Sequence, residues 1–242
     1  MVGPRRPQFV LFGSSIVKQS FGNGGWGAIL ADTYARKRSG TQTSIIYSDL
    51  IRSRISYYYY AIGTGRHNAA RIWRLEFKEC FANYRSSFPQ VKLIPSKFSP
   101  HVPLPEFIEN MRKIATHLKS LSEKTRVIFL SVPPANDEMI IQNYGEGAAR
   151  SNEGARIYSE ATLKLCQELE VKAIDLWTIM QQKDDWLTTC FTDGIHLASE
   201  GSKIVANEIM RVLEVAEWEP SLHWKVLPSE FVGISPFDSE GN

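Results

Sequence analysis

The chain has 242 residues, 43% of them hydrophobic and 22% charged, with a formal net charge of +2. That length suits one well-buried α/β core without requiring two domains, and the small net charge gives no general affinity for polyanions. Cys80, Cys166 and Cys190 are widely spaced and form no Cys-x-x-Cys, so neither a disulfide framework nor a zinc cage is indicated and a reducing compartment is the simpler reading.

Residues 1–8 carry Arg5, Arg6 and two prolines, and the apolar run behind them merges into a first strand rather than forming a cleavable signal. No 18-residue apolar stretch occurs, so a soluble cytoplasmic protein with no membrane span is expected. Gln8 to Phe12 reads as a buried strand, and Gly24 to Lys37 places Trp26, Ile29, Leu30 and Tyr34 on one helical face. Helical spacing returns from Pro105 to Leu121 through Phe107, Met111, Ile114 and Leu118. It is followed by a strand over Arg126 to Ser131, which Pro133 and Pro134 stop. A helix over Ser159 to Leu169, a short strand over Ala173 to Leu176 and a helix over Ser199 to Val215 complete the pattern.

Strands alternating with helices predict a single α/β domain over residues 1–227, with a parallel sheet covered by helices on both faces. In such sheets chemistry collects beyond the carboxyl ends of the strands. After Val226 the sequence is irregular, and residues 228–242 are expected to form a loosely held tail.

The interval 38–100 departs from this pattern. It holds ten Lys or Arg against three Asp or Glu, a balance of +7, whereas the remainder holds eighteen against twenty-three, a balance of −5. Only Ile55 to Ile62 reads there as a strand, so the sheet is expected to be incomplete and softly packed in this interval. Tyr57 to Tyr60 beside Arg52 and Arg54 resemble an aromatic and basic surface for nucleic acid, but tyrosines favour strands and no nucleic-acid partner is expected.

Two short blocks carry the chemistry. Phe12-Gly13-Ser14-Ser15-Ile16-Val17 puts a hydroxyl at a strand-to-helix turn beside free backbone N–H groups, and Asp193-Gly194-Ile195-His196-Leu197 supplies a base and its orienter three residues apart. Each alone has a plainer explanation, as a small-residue turn and as an Asp-Gly loop. Together, in this order and in this α/β setting, they resemble the SGNH or GDSL family of serine esterases, in particular its short plant type similar to isoamyl acetate-hydrolysing esterase. The resemblance covers residues 7–37 and 101 to about 227. It implies a three-layer, flavodoxin-like fold, hydrolysis of small, medium or lipid-derived carboxylic esters, and no cofactor or metal. Position by position, Ser15 falls on the nucleophile, and Asp193 and His196 on the other two positions of the catalytic triad. The Ser15 backbone N–H serves the oxyanion hole. Ser14 stands where the family has aspartate.

The family also keeps a glycine and a Gly-x-Asn-Asp asparagine as further oxyanion donors, and neither motif occurs in 38–100. Gly63, Gly65 and Asn68 follow the strand-like run without reproducing them. The abrupt return of family-like sequence near His101 suggests an interval replaced by alternative splicing, a shifted reading frame or an erroneous gene model. Loss of one donor typically lowers turnover on the order of 100- to 1,000-fold, so impaired activity is expected. The alternative is an inactive relative that binds a ligand or partner.

Cys190, Asp193 and His196 show no fourth ligand, and a buried cysteine is the better reading than a metal site. Trp177, Trp186, Trp218 and Trp224 read as core or lid anchors. His67, His101, His117 and His223 have no orienting acid at comparable spacing and receive no catalytic role. The sequence leaves oligomeric state open.

Overall fold

The computed structural model describes residues 9–22, 24–35, 37, 46–49, 102–148 and 150–227. The strand-like run 55–62, the tyrosine stretch and the tail 228–242 lie outside the described residues, as does most of 38–100. Strand β1 (Val10–Gly13) pairs in parallel with β2 (Ile46–Asp49), Val10 opposite Ile46 and Gly13 opposite Asp49. A parallel partner requires a crossover, and two helices lie between the strands, the single turn α1 (Ser15–Lys18) and α2 (Trp26–Tyr34).

The second half repeats this logic. Helix α3 (Leu104–Leu121) starts behind Pro103, takes Pro105 in its first turn, and has Glu106 at its start and Lys119 near its end, all compatible with the helix dipole. Strand β3 (Ile128–Leu130) pairs in parallel with β4 (Lys172–Ile174). Between them run α4 (Asp137–Tyr144) and α5 (Asn152–Glu168). After β4 come α6 (Leu176–Gln181), α7 (Trp186–Thr189) and α8 (Ser199–Val215).

Side-chain alternation along β3 and β4 defines the layers. Ile128, Leu130 and Ile174 point into a core built from Trp26, Leu30 and Tyr34 of α2 and Val205, Ile209, Val212 and Leu213 of α8. Phe129 and Ala173 point the other way, against Ala115 of α3 and Cys166 of α5. Helices therefore cover both faces of the β3–β4 pair, as the alternating pattern predicts, and the fold is α/β with parallel strands. Among the described residues these form two pairs, β1–β2 and β3–β4, and β2 falls in the interval where the sequence showed a strand only at Ile55 to Ile62. Each fully buried aliphatic side chain in these layers contributes about 1.5–3 kcal/mol relative to exposure.

Several boundaries differ from the sequence reading. Helix α5 begins at Asn152 rather than Ser159, because Ser151 accepts a hydrogen bond from the Gly154 N–H at 3.1 Å and caps a first turn with little apolar signal. Helix α8 occupies the expected range, its buried residues recurring at helical spacing. Among the described residues no helix is long and apolar enough to cross a membrane.

Candidate active site

Strand β1 delivers the first half of the site. Its last residue, Gly13, sits where an added Cβ would come within 2.5 Å of Val17 Cγ2, so glycine lets the chain fold directly from strand into α1 with Val17 buried beneath. Ser14 is the buried N-cap residue, with no side-chain capping bond, and Ser15 is the first residue of the helix. As a first-turn residue, Ser15 has a backbone N–H with no acceptor inside the helix.

The second half is the loop between α7 and α8. Its ends are drawn together by the Phe191 to Leu197 bridge and by the Ala198 N–H donating to the Cys190 carbonyl at 2.8 Å. Inside it, Asp193 Oδ1 accepts from the N–H groups of Ile195 (2.9 Å) and His196 (2.8 Å), an Asx turn that fixes the carboxylate against its own backbone. Gly194 has φ +89°, and an added Cβ would stand 2.6 Å from the Asn136 carbonyl. The Asn136 N–H in turn donates to the Gly194 carbonyl at 3.0 Å, so the loop is anchored to the start of α4.

These two segments, 181 residues apart, meet. His196 Nε2 lies 2.9 Å from Ser15 Oγ, and His196 Nδ1 lies 2.5 Å from Asp193 Oδ2. The imidazole and carboxylate side chains are only 17% and 22% exposed, which limits competition from water. Burial pushes the Asp193 carboxyl up, but the His196 N–H, the Tyr144 phenol, the imidazole and the Ile195 N–H outweigh it and hold it down at about 2. At neutral pH this group is an acceptor that fixes the proton of the ring on Nδ1 and leaves Nε2 facing the hydroxyl.

Two neighbours of this chain of hydrogen bonds are absent from the sequence reading. The Tyr144 hydroxyl donates to Asp193 Oδ2 at 2.6 Å, and burial together with this carboxylate pushes the phenol up to about 12. Arg150 is lowered by burial, an effect partly offset by the nearby Tyr144 and Asp193. Tyr144 closes α4, 49 residues before Asp193, and no spacing rule joins them. Asn136 did carry a local signal: an Asn cap followed by Asp137 and Glu138 after Pro134 is a helix start, and its side chain accepts from the Met139 N–H at 2.9 Å.

The remaining candidates fall to structural roles. Cys190 is buried and free, and among the described residues no group of His, Cys, Asp or Glu could hold a metal ion. Trp186, Trp218 and Trp224 pack against the α2 and α8 core, and Trp177 donates to Asn152 Oδ1 at 3.0 Å. An open groove lined by Thr33, Met210, His223 and Trp224 includes none of Ser15, Asp193 or His196.

The comparisons agree with this architecture. The sequence model of the GDSL-like Lipase/Acylhydrolase family matches residues 64–204, an interval that includes Asp193 and His196 and begins after Ser15. The chain is 49% identical over 245 residues to the GDSL esterase/lipase WDL1 of Oryza sativa subsp. japonica, covering 97% of this chain and 88% of that protein. It is 46% identical to the GDSL esterase/lipase CPRD49 of Arabidopsis thaliana, with 98% and 91% covered. It is 29% identical to the isoamyl acetate-hydrolyzing esterase 1 homolog of Bos taurus, with 86% and 82% covered. Among solved structures, the acetyl xylan esterase AlAXEase superposes with a TM-score of 0.51 at 15% identity, over 85% of this chain and 99% of that one, a likeness of fold. With a family match over more than half its length and relatives near half identical along nearly all of it, this chain belongs to the GDSL-like lipase/acylhydrolase family and is a carboxylic ester hydrolase.

Proposed function

We propose that the chain cleaves carboxylic esters through an acyl-Ser15 intermediate. The observation that carries this reading is the unbroken relay from Ser15 Oγ to His196 Nε2 at 2.9 Å and from His196 Nδ1 to Asp193 Oδ2 at 2.5 Å. In it, His196 removes the hydroxyl proton as Ser15 attacks the carbonyl carbon, and Asp193 stabilises the imidazolium that results. The Ser15 N–H, unused by α1, donates to the oxygen that gains charge. Collapse of the tetrahedral intermediate expels the alcohol with the proton from His196. A water activated by the same imidazole then releases the acid and restores the serine.

Small or medium acyl esters, including lipid-derived ones, are the substrate class this reading takes over from the family. Turnover below that of an enzyme with a full donor set belongs to the same reading, because the sequence has no Gly-x-Asn-Asp and each missing donor costs on the order of 100- to 1,000-fold.

The test is hydrolysis of a short-chain nitrophenyl ester by the chain and by Ser15→Ala, with fluorophosphonate labelling of both. Release and labelling that disappear together in the variant are expected, with kcat lower by at least about 1,000-fold. Equal rates for the two proteins would remove the acyl-serine route.

A further inference from the structure

We propose that Tyr144 is a positioning residue of the relay, holding Asp193 Oδ2 on the imidazole and keeping water off that oxygen. The inference rests on the acyl-Ser15 reading for its kinetic consequences and on geometry for the rest. The two carboxylate oxygens of Asp193 are treated differently. Oδ1 is occupied by the N–H groups of Ile195 and His196 from its own loop. Oδ2 receives His196 Nδ1 at 2.5 Å and the Tyr144 hydroxyl at 2.6 Å. Every acceptor direction of the carboxylate thereby has a fixed donor, and among the described residues the one donor from outside the loop is the phenol.

Tyr144 can serve this way because of where α4 places it. It is the final residue of the helix, immediately before Gly145, whose φ of +80° turns the chain away. The ring remains 50% exposed, while the carboxylate it bonds is 22% exposed. The phenol therefore stands on the solvent side of Oδ2, in the position a water molecule would take if it were absent. Water there would exchange freely, weaken the Nδ1 bond and let the imidazole sample other orientations. Among the described residues, the groups facing Asp193 are His196 and Ile195 from its own loop, Tyr144 from α4, and Arg150 from the connection to α5, whose charge acts on both the phenol and the carboxylate.

Tyr144→Phe removes one oxygen from a half-exposed ring and keeps its apolar contacts. Ile141→Ala, at a position 50% exposed one turn earlier on α4, trims the same helix without touching the relay. Three readouts are compared among the parent chain and both variants: kcat and KM on a short-chain nitrophenyl ester, the 15N pattern of the His196 ring, and the melting temperature. In Tyr144→Phe, kcat falls roughly tenfold with KM within about twofold, as for a group that orients catalysis without binding substrate. The ring signals shift from a fixed Nδ1–H form toward mixed tautomers, while Ile141→Ala matches the parent in both.

Unchanged kcat and ring signals in Tyr144→Phe would overturn the proposal. A rise in KM alone would make the phenol a substrate contact and overturn it too, as would Ile141→Ala reproducing the Phe effects, which would assign them to the helix. If the parent shows no Ser15-dependent turnover, the acyl-serine reading fails, and the ring pattern still decides the role of Tyr144.

Discussion

Asp193 takes two backbone N–H groups on one oxygen and an imidazole and a phenol on the other. Replacing it by Asn keeps the shape but offers an amide that cannot stabilise imidazolium and favours the wrong ring tautomer. On the proposed mechanism kcat is expected to fall on the order of 1,000- to 10,000-fold with KM little changed, measured with the same nitrophenyl ester. The same carboxylate couples stability to acid. Its folded value of about 2 lies below the ordinary 3.8, so its contribution to stability is complete above about pH 4 and is lost as pH falls through about 2. The urea midpoint of the parent chain is therefore expected to drop between about pH 4 and 2, while its margin over Asp193→Asn closes across that window. A constant margin would disconnect Asp193 from acid stability. At this scale the sequence displayed Ser15, Asp193 and His196 openly, since a hydroxyl after a strand and an Asp three residues before a His are local patterns. Tyr144 was illegible, because its bond to Asp193 exists only once α4 and the loop have docked.

Short elements set the precision of the site. Helix α4 has only eight residues, yet its Asn136 cap does three things. The side chain accepts from the Met139 N–H, its amide donates to the Leu187 carbonyl at 2.9 Å, and the backbone N–H holds Gly194. Asn136→Ala removes a cap worth about 1 kcal/mol and strands the part-buried Leu187 carbonyl. A loss of about 1–3 kcal/mol in urea unfolding is expected, together with lower kcat, because α4 carries both the anchor of the loop and Tyr144. Full retention of stability would show that Met139 and Leu187 find other partners at no cost. The long amphipathic helices α3 and α8 were readable from apolar spacing. The short α6 and α7 were not, since helices of six and four residues are too brief for a period of 3.6 to repeat.

Across the whole molecule, packing between α2 and α8 helps bring the two halves of the site together. Ser15 opens α1, the single turn that precedes α2 in the chain, and His196 lies just before α8, so the seam between α2 and α8 helps set how closely the two segments approach. Leu30, 4% exposed, lies in this seam with Ile209 and Val212. Leu30→Ala is expected to lower the melting temperature by roughly 5–15 °C, the effect of a cavity of about 2–5 kcal/mol in a chain of this length, read by calorimetry. A shift under about 2 °C would mean that the seam closes over the gap.

The sequence by itself determined most of the alternation of strands and helices, and with it an α/β fold with parallel strands, because those follow from periodicities of two and 3.6 along the chain. It did not show β2, which falls in the basic interval where only Ile55 to Ile62 read as a strand. It also singled out the two blocks that hold Ser15, Asp193 and His196. Tertiary structure alone decided that Ser15 and His196 stand 2.9 Å apart, and that a phenol from a third segment completes the carboxylate. Hydrogen bonds are decided within tenths of an ångström, and only the packing of separate elements fixes distances that finely between residues far apart in the chain.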